Sequence, residues 1–295
     1  NAGLGAQFEA CVVACPAHFT LRQRQALRRV VERCGLEVRA MVLEPTAAAM
    51  TLPEPAHPRT LVVFDLGGGT FDTTVLRVEE GVVHVLAAGG DAFLGGFDID
   101  ARIAEEIIAG YREETGVDLN ANAVALQALG AAVERAKVAL SEHESARVQF
   151  PFVDDQRGFM HMDRVMTRHD LETWAGPLFE KTIGIVKEML VRAGVVMADV
   201  DELVLVGGQT RMPYLRRRIE DALGKRPNAS VDPITCVAVG AAVLGAGEHM
   251  LFDAVSVPLY APVPGQAAFV LLARGAALPA QGSVLLGDNP AGVVY

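Results

Sequence analysis

Residues 61–72 read L-V-V-F-D-L-G-G-G-T-F-D, and a second apolar run, V-L-R-V, follows at 75–78. The Leu, Val and Phe content of the first run predicts a buried strand, and the second run opens another. Gly67, Gly68 and Gly69 fall between them. Glycine lets backbone come close to a ligand and take turns that other residues resist. Successive exposed N–H groups in such a turn make a concave anion site, and Thr70 adds a hydroxyl donor. Asp65 and Asp72 flank the turn, where two carboxylates would repel a bare phosphate. Mg²⁺ removes the conflict, because it takes one or two carboxylates, waters and phosphate oxygens together. The local chemistry is that of a Mg–nucleotide phosphate loop. A glycine hairpin with two solvated aspartates is the alternative reading of the same residues.

The remainder of the chain has room for such a site. Its 295 residues suffice for two domains, and 51% are hydrophobic, enough for a large core. A net charge of −10 argues against a nucleic-acid surface. No apolar run reaches the roughly 18–20 residues that cross a bilayer, so no membrane contact is expected. Asn1 to Gln7 carries no basic cluster, so no signal peptide is expected. The chain does not begin with Met and is expected to be a fragment. Of four cysteines, Cys11 and Cys15 share one face of an apolar run without other ligands at metal-site spacing. They read as small buried hydrophobes, in a reducing, cytoplasmic compartment.

From the N-terminus, Phe8 to Cys15 reads as a strand stopped by Pro16. Thr20 and Gln23 form a capping box that opens a helix. Leu21, Leu27, Val30, Val31 and Cys34 give that helix an apolar face, and Gly35 ends it. Leu36 to Leu43 is the next strand, and Glu44-Pro45-Thr46 turns into a short helix with Pro45 near its start. Strand–helix–strand–helix is the grammar of an α/β layer. Pro53, Pro55 and Pro58 stiffen a connection to the phosphate loop. Val82 to Ala88 is a third strand after the loop, which makes an antiparallel meander.

Helices are expected at Ile99–Tyr111 and Val124–Leu140, the second with Leu126, Leu129, Val133, Ala136 and Leu140 facing the core. Glu134, Lys137 and Ser141 lie along one edge of that stripe, where a solvated Glu–Lys pair is the plain reading. A hairpin turns at Asp154 to Gly158. Thr167 to Arg192 is helical, with Pro177 marking a break or a second start. The strand Asp201–Val206 runs into Gly207-Gly208, then a helix from Tyr214 to Leu223. That unit lets backbone lie flat against a ligand and aims N–H groups at it. A returning helix follows Asp232-Pro233, and Gly240 permits close packing. Ser256 to Tyr295 reads as short strands.

Several of these segments together resemble the 70-kilodalton heat-shock chaperones (DnaK-like), members of the actin–sugar kinase ATPase superfamily. D-L-G-G-G-T-F-D is similar to their second phosphate loop. Pro16-Ala17-His18-Phe19 with Gln23-Arg24-Gln25 resembles V-P-A-Y-F…Q-R-Q, with His18 in place of Tyr. Glu44 to Ala49 matches E-P-T-A-A-A. Gly95-Gly96-Phe97-Asp98-Ile99-Asp100 resembles G-G-x-D-F-D, with Phe97 where the family has an acid. E-R-A-K-x-x-L-S at 134–141 resembles the adenosine-binding helix, with Val138 where some members stack an Arg on the base. L-V-G-G-Q-T-R-M-P at 205–213 resembles the second adenosine motif. The family has Asp-Glu where Ile234 and Thr235 stand, and SVPLYA at 256–261 departs from its peptide-contacting strand.

The resemblance implies an α/β actin-like (ribonuclease H-like) ATPase fold, N-terminally incomplete, followed by a partial β-rich domain. Residues 1–249 would form the nucleotide-binding domain, with 1–53 and 232–249 in one lobe and 58–231 in the other. Residues 250–255 would be the interdomain linker and 256–295 the start of the peptide-binding domain. A first phosphate loop, D-L-G-T-T, and a catalytic lysine would lie upstream of Asn1. The implied cofactors are ATP or ADP with Mg²⁺, held through Asp65 and Asp72, directly or through water. Gly67, Gly68, Gly69, Thr70, Gly95 and Gly96 would meet the phosphates. Glu134, Lys137, Ser141, Gly207, Gly208 and Arg211 would meet the nucleoside. Asp72, Glu44, Asp65 and Thr70 would carry catalysis, with Asp72 orienting the attacking water. Pro16 and Arg24 would relay nucleotide state to the neighbouring domain. Partners would be extended or unfolded peptides, a J-domain co-chaperone and a nucleotide-exchange factor. Two other readings stand beside an ATP-driven chaperone: a nucleotide-binding scaffold without efficient hydrolysis, and a sugar kinase or actin-like filament protein. The helix at 134–141 and the apolar acidic linker argue against the last.

Overall fold

The computed structural model describes residues 8–53, 57–79, 82–154 and 157–246, with the backbone of 252–253, 259–261 and 269–272. The chain starts with β1 (Ala10–Cys15), α1 (Leu21–Arg33), β2 (Glu37–Leu43) and α2 (Glu44–Ala49). β1 and β2 pair in parallel as a two-stranded sheet. The capping box is formed: Thr20 Oγ1 accepts from the Gln23 N–H, and the Thr20 N–H donates to Gln23 Oε1 at 2.8 Å. Cys34 caps the helix, and Gly35 leaves it at φ +83°, an angle costly for a residue with a Cβ.

The expected apolar face of α1 is not where the structure puts it. Leu21 and Val30 are 72% and 60% exposed, Cys34 is exposed, and no α1 residue is fully buried. Arg24, Leu27 and Val31 are the partly covered positions. Guanidinium-to-carbonyl bonds anchor the helix instead. Arg28 donates to Val38 O at 2.6 Å, and Arg24 donates to Phe19 O at 3.0 Å.

β3 (Arg59–Leu66), β4 (Phe71–Glu79) and β5 (Val82–Asp91) make the expected antiparallel meander. β8 (Glu202–Val206) joins β3 in parallel, and the backbone of β9 (Phe252–Asp253) joins β5 in parallel. The five-stranded order is β8-β3-β4-β5-β9. β3 is buried on both faces, and its alternate residues serve two cores. Val62, Phe64 and Leu66 pack with α3 (Gly96–Thr115), α4 (Ala123–Ala139), α5 (Arg168–Ala193) and α6 (Pro213–Leu223). Leu61 and Val63 pack with Ala48 and Ala49 of α2 and Cys236 of α7 (Cys236–Ala246). Val42, Ala47 and Ala241 then join α2 and α7 to the β1–β2 sheet. Helices α2 and α7 therefore lie between the two sheets. Gly240 permits their contact, since a Cβ there would sit 1.7 Å from Ala47 O.

β6 (Ser145–Asp154) and β7 (Gly158–Thr167) form the expected hairpin beside α4. Pro177 does not break α5, which runs unbroken from Arg168 to Ala193. A proline removes one helical N–H and clashes with the carbonyl four residues back. Here Pro177 and Thr173 both face solvent, so water can take up the freed carbonyl. The buried stripe Leu171, Ala175, Phe179, Ile183, Val186 and Leu190 holds both halves to the core. In the last segment, the backbone of β10 (Leu259–Ala261) pairs antiparallel with β11 (Phe269–Leu272). The rest of the expected linker and β-rich segment lies outside the described residues, as does the 54–56 part of the proline connection. No helix among the described residues is long and apolar enough to cross a membrane.

Candidate functional site

The β3–β4 register pairs Asp65 with Asp72 directly across the strands, and Leu66 with Phe71. The turn between them closes with Gly67 N donating to Thr70 O at 3.1 Å. On one side the turn is held by the start of α3. Gly96 N donates to Gly67 O at 3.0 Å and Phe97 N donates to Gly68 O at 2.8 Å. In a trans peptide the N–H points opposite to the C=O. Drawing these two carbonyls toward α3 therefore aims the N–H groups of Gly68 and Gly69 away from it. Gly68, Gly69 and Thr70 are exposed, and their N–H groups meet no backbone carbonyl among the described residues. Three donors thus sit on a glycine turn at the end of a buried strand, the arrangement that favours an anion.

Gly95 makes that bracing possible. A Cβ at Gly95 would lie 2.6 Å from both the carbonyl carbon and the nitrogen of Gly69. Gly207 does the same from the other flank. β8 pairs Val206 with Asp65, so the Gly207-Gly208 turn leaves the sheet beside the phosphate-loop strand. Gly207 has φ +86°, and a Cβ there would meet Leu66 O at 2.2 Å and Asp65 Oδ1 at 2.9 Å. Gly207 N also donates to Pro233 O at 2.8 Å, which ties this turn to the approach of α7. The site lies at the carboxyl ends of parallel β3 and β8, where open α/β sheets place ligands.

Three carboxylates with mutual electrostatic influence face this turn. Burial, then Glu44 and then Asp72, push the Asp65 carboxyl up to about 7. Glu44, at the start of α2, is also raised, by burial first and Asp72 second, with His18 opposing. Negative groups held together against their own repulsion fit a divalent cation. Among the described residues no three His, Cys, Asp or Glu side chains could grip a metal by themselves. The donor set therefore fits Mg²⁺ held largely through waters and phosphate oxygens, the usual habit of that ion. His18 Nδ1 lies 2.7 Å from Asp72 Oδ1, a contact across the space between the β1–α1 turn and β4. The sequence shows His18 only as a replacement for Tyr, because nothing in it places His18 against Asp72.

The expected nucleoside residues occupy different settings. Lys137 is only 2% exposed; its Nζ donates to Gly96 O at 3.0 Å and pairs with Asp100 Oδ1 at 2.8 Å. Burial raises the Asp100 carboxyl, with Lys137 opposing. Lys137 thus fastens α4 to the first turn of α3, directly behind the phosphate loop. Asp100 has no assigned role in the sequence, where nothing brings it beside Lys137 on a separate helix. Glu134 is exposed and Ser141 partly so. Arg211 pairs with Asp232 at 3.0 Å, and Asp232 also accepts from the Ile234 N–H. Gln209 Oε1 is a buried acceptor with no hydrogen-bond partner among the described residues. The Phe97 ring, 70% exposed, lies over Gly68 and Gly69.

Pro16 O accepts from Phe19 N at 3.1 Å, and Arg24 bonds to the carbonyls of Phe19 and Ala17. Pro16 and Arg24 therefore belong to one braced turn, the turn that carries His18. Breaking the Lys137 pair has a definite expected cost. Lys137→Met leaves the partly buried Asp100 without its counter-charge, which should lower unfolding stability by about 2–3 kcal/mol. The double variant Lys137→Met/Asp100→Leu should recover most of the loss in urea titrations. Additive losses would show that the two groups are not coupled.

A model of the Hsp70 protein family matches residues 1–253.

Proposed function

The chain belongs to the Hsp70 family, and we propose that its glycine turn binds and hydrolyses Mg-ATP to control peptide binding by the segment that follows. The fold is the actin-like ATPase fold of that family, and the protein is of the Hsp70 chaperone type, a nucleotide-binding family. The observation that carries the finer reading is the Gly67–Thr70 turn, whose Gly68, Gly69 and Thr70 N–H groups meet no backbone carbonyl among the described residues and are flanked by the cross-strand pair Asp65–Asp72.

Mg²⁺, when bound, would neutralise phosphate charge and polarise the transferred phosphoryl group. Asp65 and Asp72 would hold the ion, directly or through water. The N–H groups of Gly68 and Gly69, with the Thr70 hydroxyl, donate to phosphoryl oxygens, where charge builds in the transition state. Asp72 would accept from the attacking water, and Glu44 would help orient that water or the metal. Gly95 and Gly96 back the loop. Glu134, Ser141, Gly207, Gly208 and Arg211 would frame the nucleoside, and Lys137 fixes the wall behind the phosphate loop.

Residues 1–53 and 232–249 would form one lobe of the nucleotide-binding domain and 58–231 the other. The linker at 250–255 would couple the domain to peptide binding by adding β9 to the open edge of β5. Extended peptides, a J-domain co-chaperone and an exchange factor would be its partners, in the cytoplasm. Peptide-stimulated, Mg-dependent phosphate release by the full-length gene product is the test, and its absence would contradict the reading. Tight nucleotide binding with no release would favour the scaffold alternative. The apolar Phe97 ring over the loop and the exposed Ile234 are the observations on that side.

A further inference from the structure

We propose that His18 is a positioning residue that fixes the Asp72 carboxylate, joining the phosphate loop to the turn before α1. This inference rests on the reading of Asp72 as the group that orients water. The contact is His18 Nδ1 to Asp72 Oδ1 at 2.7 Å, between residues 54 apart in sequence. The Asp72 side chain is 20% exposed and that of His18 46% exposed.

The turn bearing His18 is held on every side. Phe19 N donates to Pro16 O, Arg24 donates to the carbonyls of Phe19 and Ala17, and Thr20 is locked to Gln23 by the capping box. The Phe19 ring meets the imidazole edge-on at 5.6 Å between centroids. The imidazole is thus presented by backbone that is tied to α1, with the Phe19 ring against its edge.

The chemistry fixes more than the position. An aspartate carboxylate only accepts, so the proton of this bond must sit on Nδ1. With Oδ1 engaged, Oδ2 is the oxygen left for a water or the ion's shell. Asp65 and Glu44 repel the Asp72 carboxylate electrostatically. The donor at 2.7 Å counters that repulsion and holds Oδ1 in place. The effect belongs to the transition state, because water orientation matters there more than in ground-state nucleotide binding.

The test pairs turnover with a signature independent of it. In the full-length gene product, His18→Ala should lower kcat for Mg-ATP about tenfold, the scale of one charge-assisted hydrogen bond, with KM little changed. His18→Asn places an amide N–H where Nδ1 stood and should restore most of that loss, whereas His18→Leu should not. In nucleotide-free protein, ring ¹⁵N–¹H NMR should show the Nδ1–H form, and Asp72→Ala should remove that preference. Wild-type kcat in His18→Ala, no rescue by Asn, or an Nε2–H ring indifferent to Asp72→Ala would each overturn the proposal. Absence of wild-type turnover would sink the hydrolysis reading alone, since the NMR signature still decides whether His18 holds Asp72.

Discussion

Asp65→Asn should abolish Mg-dependent turnover and, in the nucleotide-free protein, raise the melting temperature at pH 8. The two effects share one cause. The Asp65 carboxyl titrates at about 7 in the folded chain, because burial, Glu44 and Asp72 all disfavour its charge. In the unfolded chain it titrates near 3.8. Between those values the folded state holds a proton that the unfolded state has lost, so stability falls as pH rises through the window. The penalty is absent below pH 3.8 and complete above about 7. A shift of about three units corresponds to at most about 4 kcal/mol. Asparagine has nearly the same shape and no charge, so the stabilisation it gives should be small at pH 4 and largest at pH 8. Calorimetric scans of both proteins across that range check the sign. Adding Mg²⁺ to the nucleotide complex should stabilise the wild type further and leave the variant's complex unmoved.

Gly240→Ala should be the most damaging single methyl added to the described part of the chain. The new Cβ would lie 1.7 Å from Ala47 O and 2.5 Å from Ala47 C, both backbone atoms of α2. No side-chain rotation relieves a clash with backbone, so α7 and α2 must separate. Overpacking costs about 1–3 kcal/mol where side chains yield, and this site lies at or beyond the upper end. A loss of about 3 kcal/mol lowers the melting temperature of a chain this size by about 5 °C. Separation of the helices also moves Glu44, which opens α2. Nucleotide affinity should therefore fall as well, whereas Gly184→Ala, exposed in α5 with nothing within 4 Å of the new methyl, should leave affinity unchanged and raise stability slightly, by about 0.5–1 kcal/mol.

The elements that positioned the site were legible where the signal is local. The Thr20–Gln23 capping box, the meander around the glycine turn and the strand–Gly-Gly–helix unit each reside in a few adjacent residues. Asp65 and Asp72 could be chosen because they flank the turn, although only the register shows that they are cross-strand partners. What escaped depends on partners far along the chain. Lys137 reads as a solvated helix position until Asp100 and Gly96 O are brought beneath it. His18 reads as an aromatic replacement until the β1–α1 turn meets β4. The face of α1 was misjudged because spacing shows which apolar residues share a side, not whether anything covers it. Pro177 was overweighted because its local cost is set against a long buried stripe that local reasoning does not sum.

The most direct measurement is calorimetric titration of ADP into the full-length gene product, with and without Mg²⁺. Binding at one site, at least about tenfold tighter with Mg²⁺, is the expected result, since that ion joins two carboxylates to a phosphate. The Mg²⁺ increment should vanish in Asp65→Asn. Binding itself should collapse in Gly95→Ala, whose methyl would press on the Gly68–Gly69 backbone at 2.6–2.7 Å. Equal affinity with and without Mg²⁺, or ADP binding indifferent to both substitutions, would contradict a Mg–nucleotide site at the glycine turn.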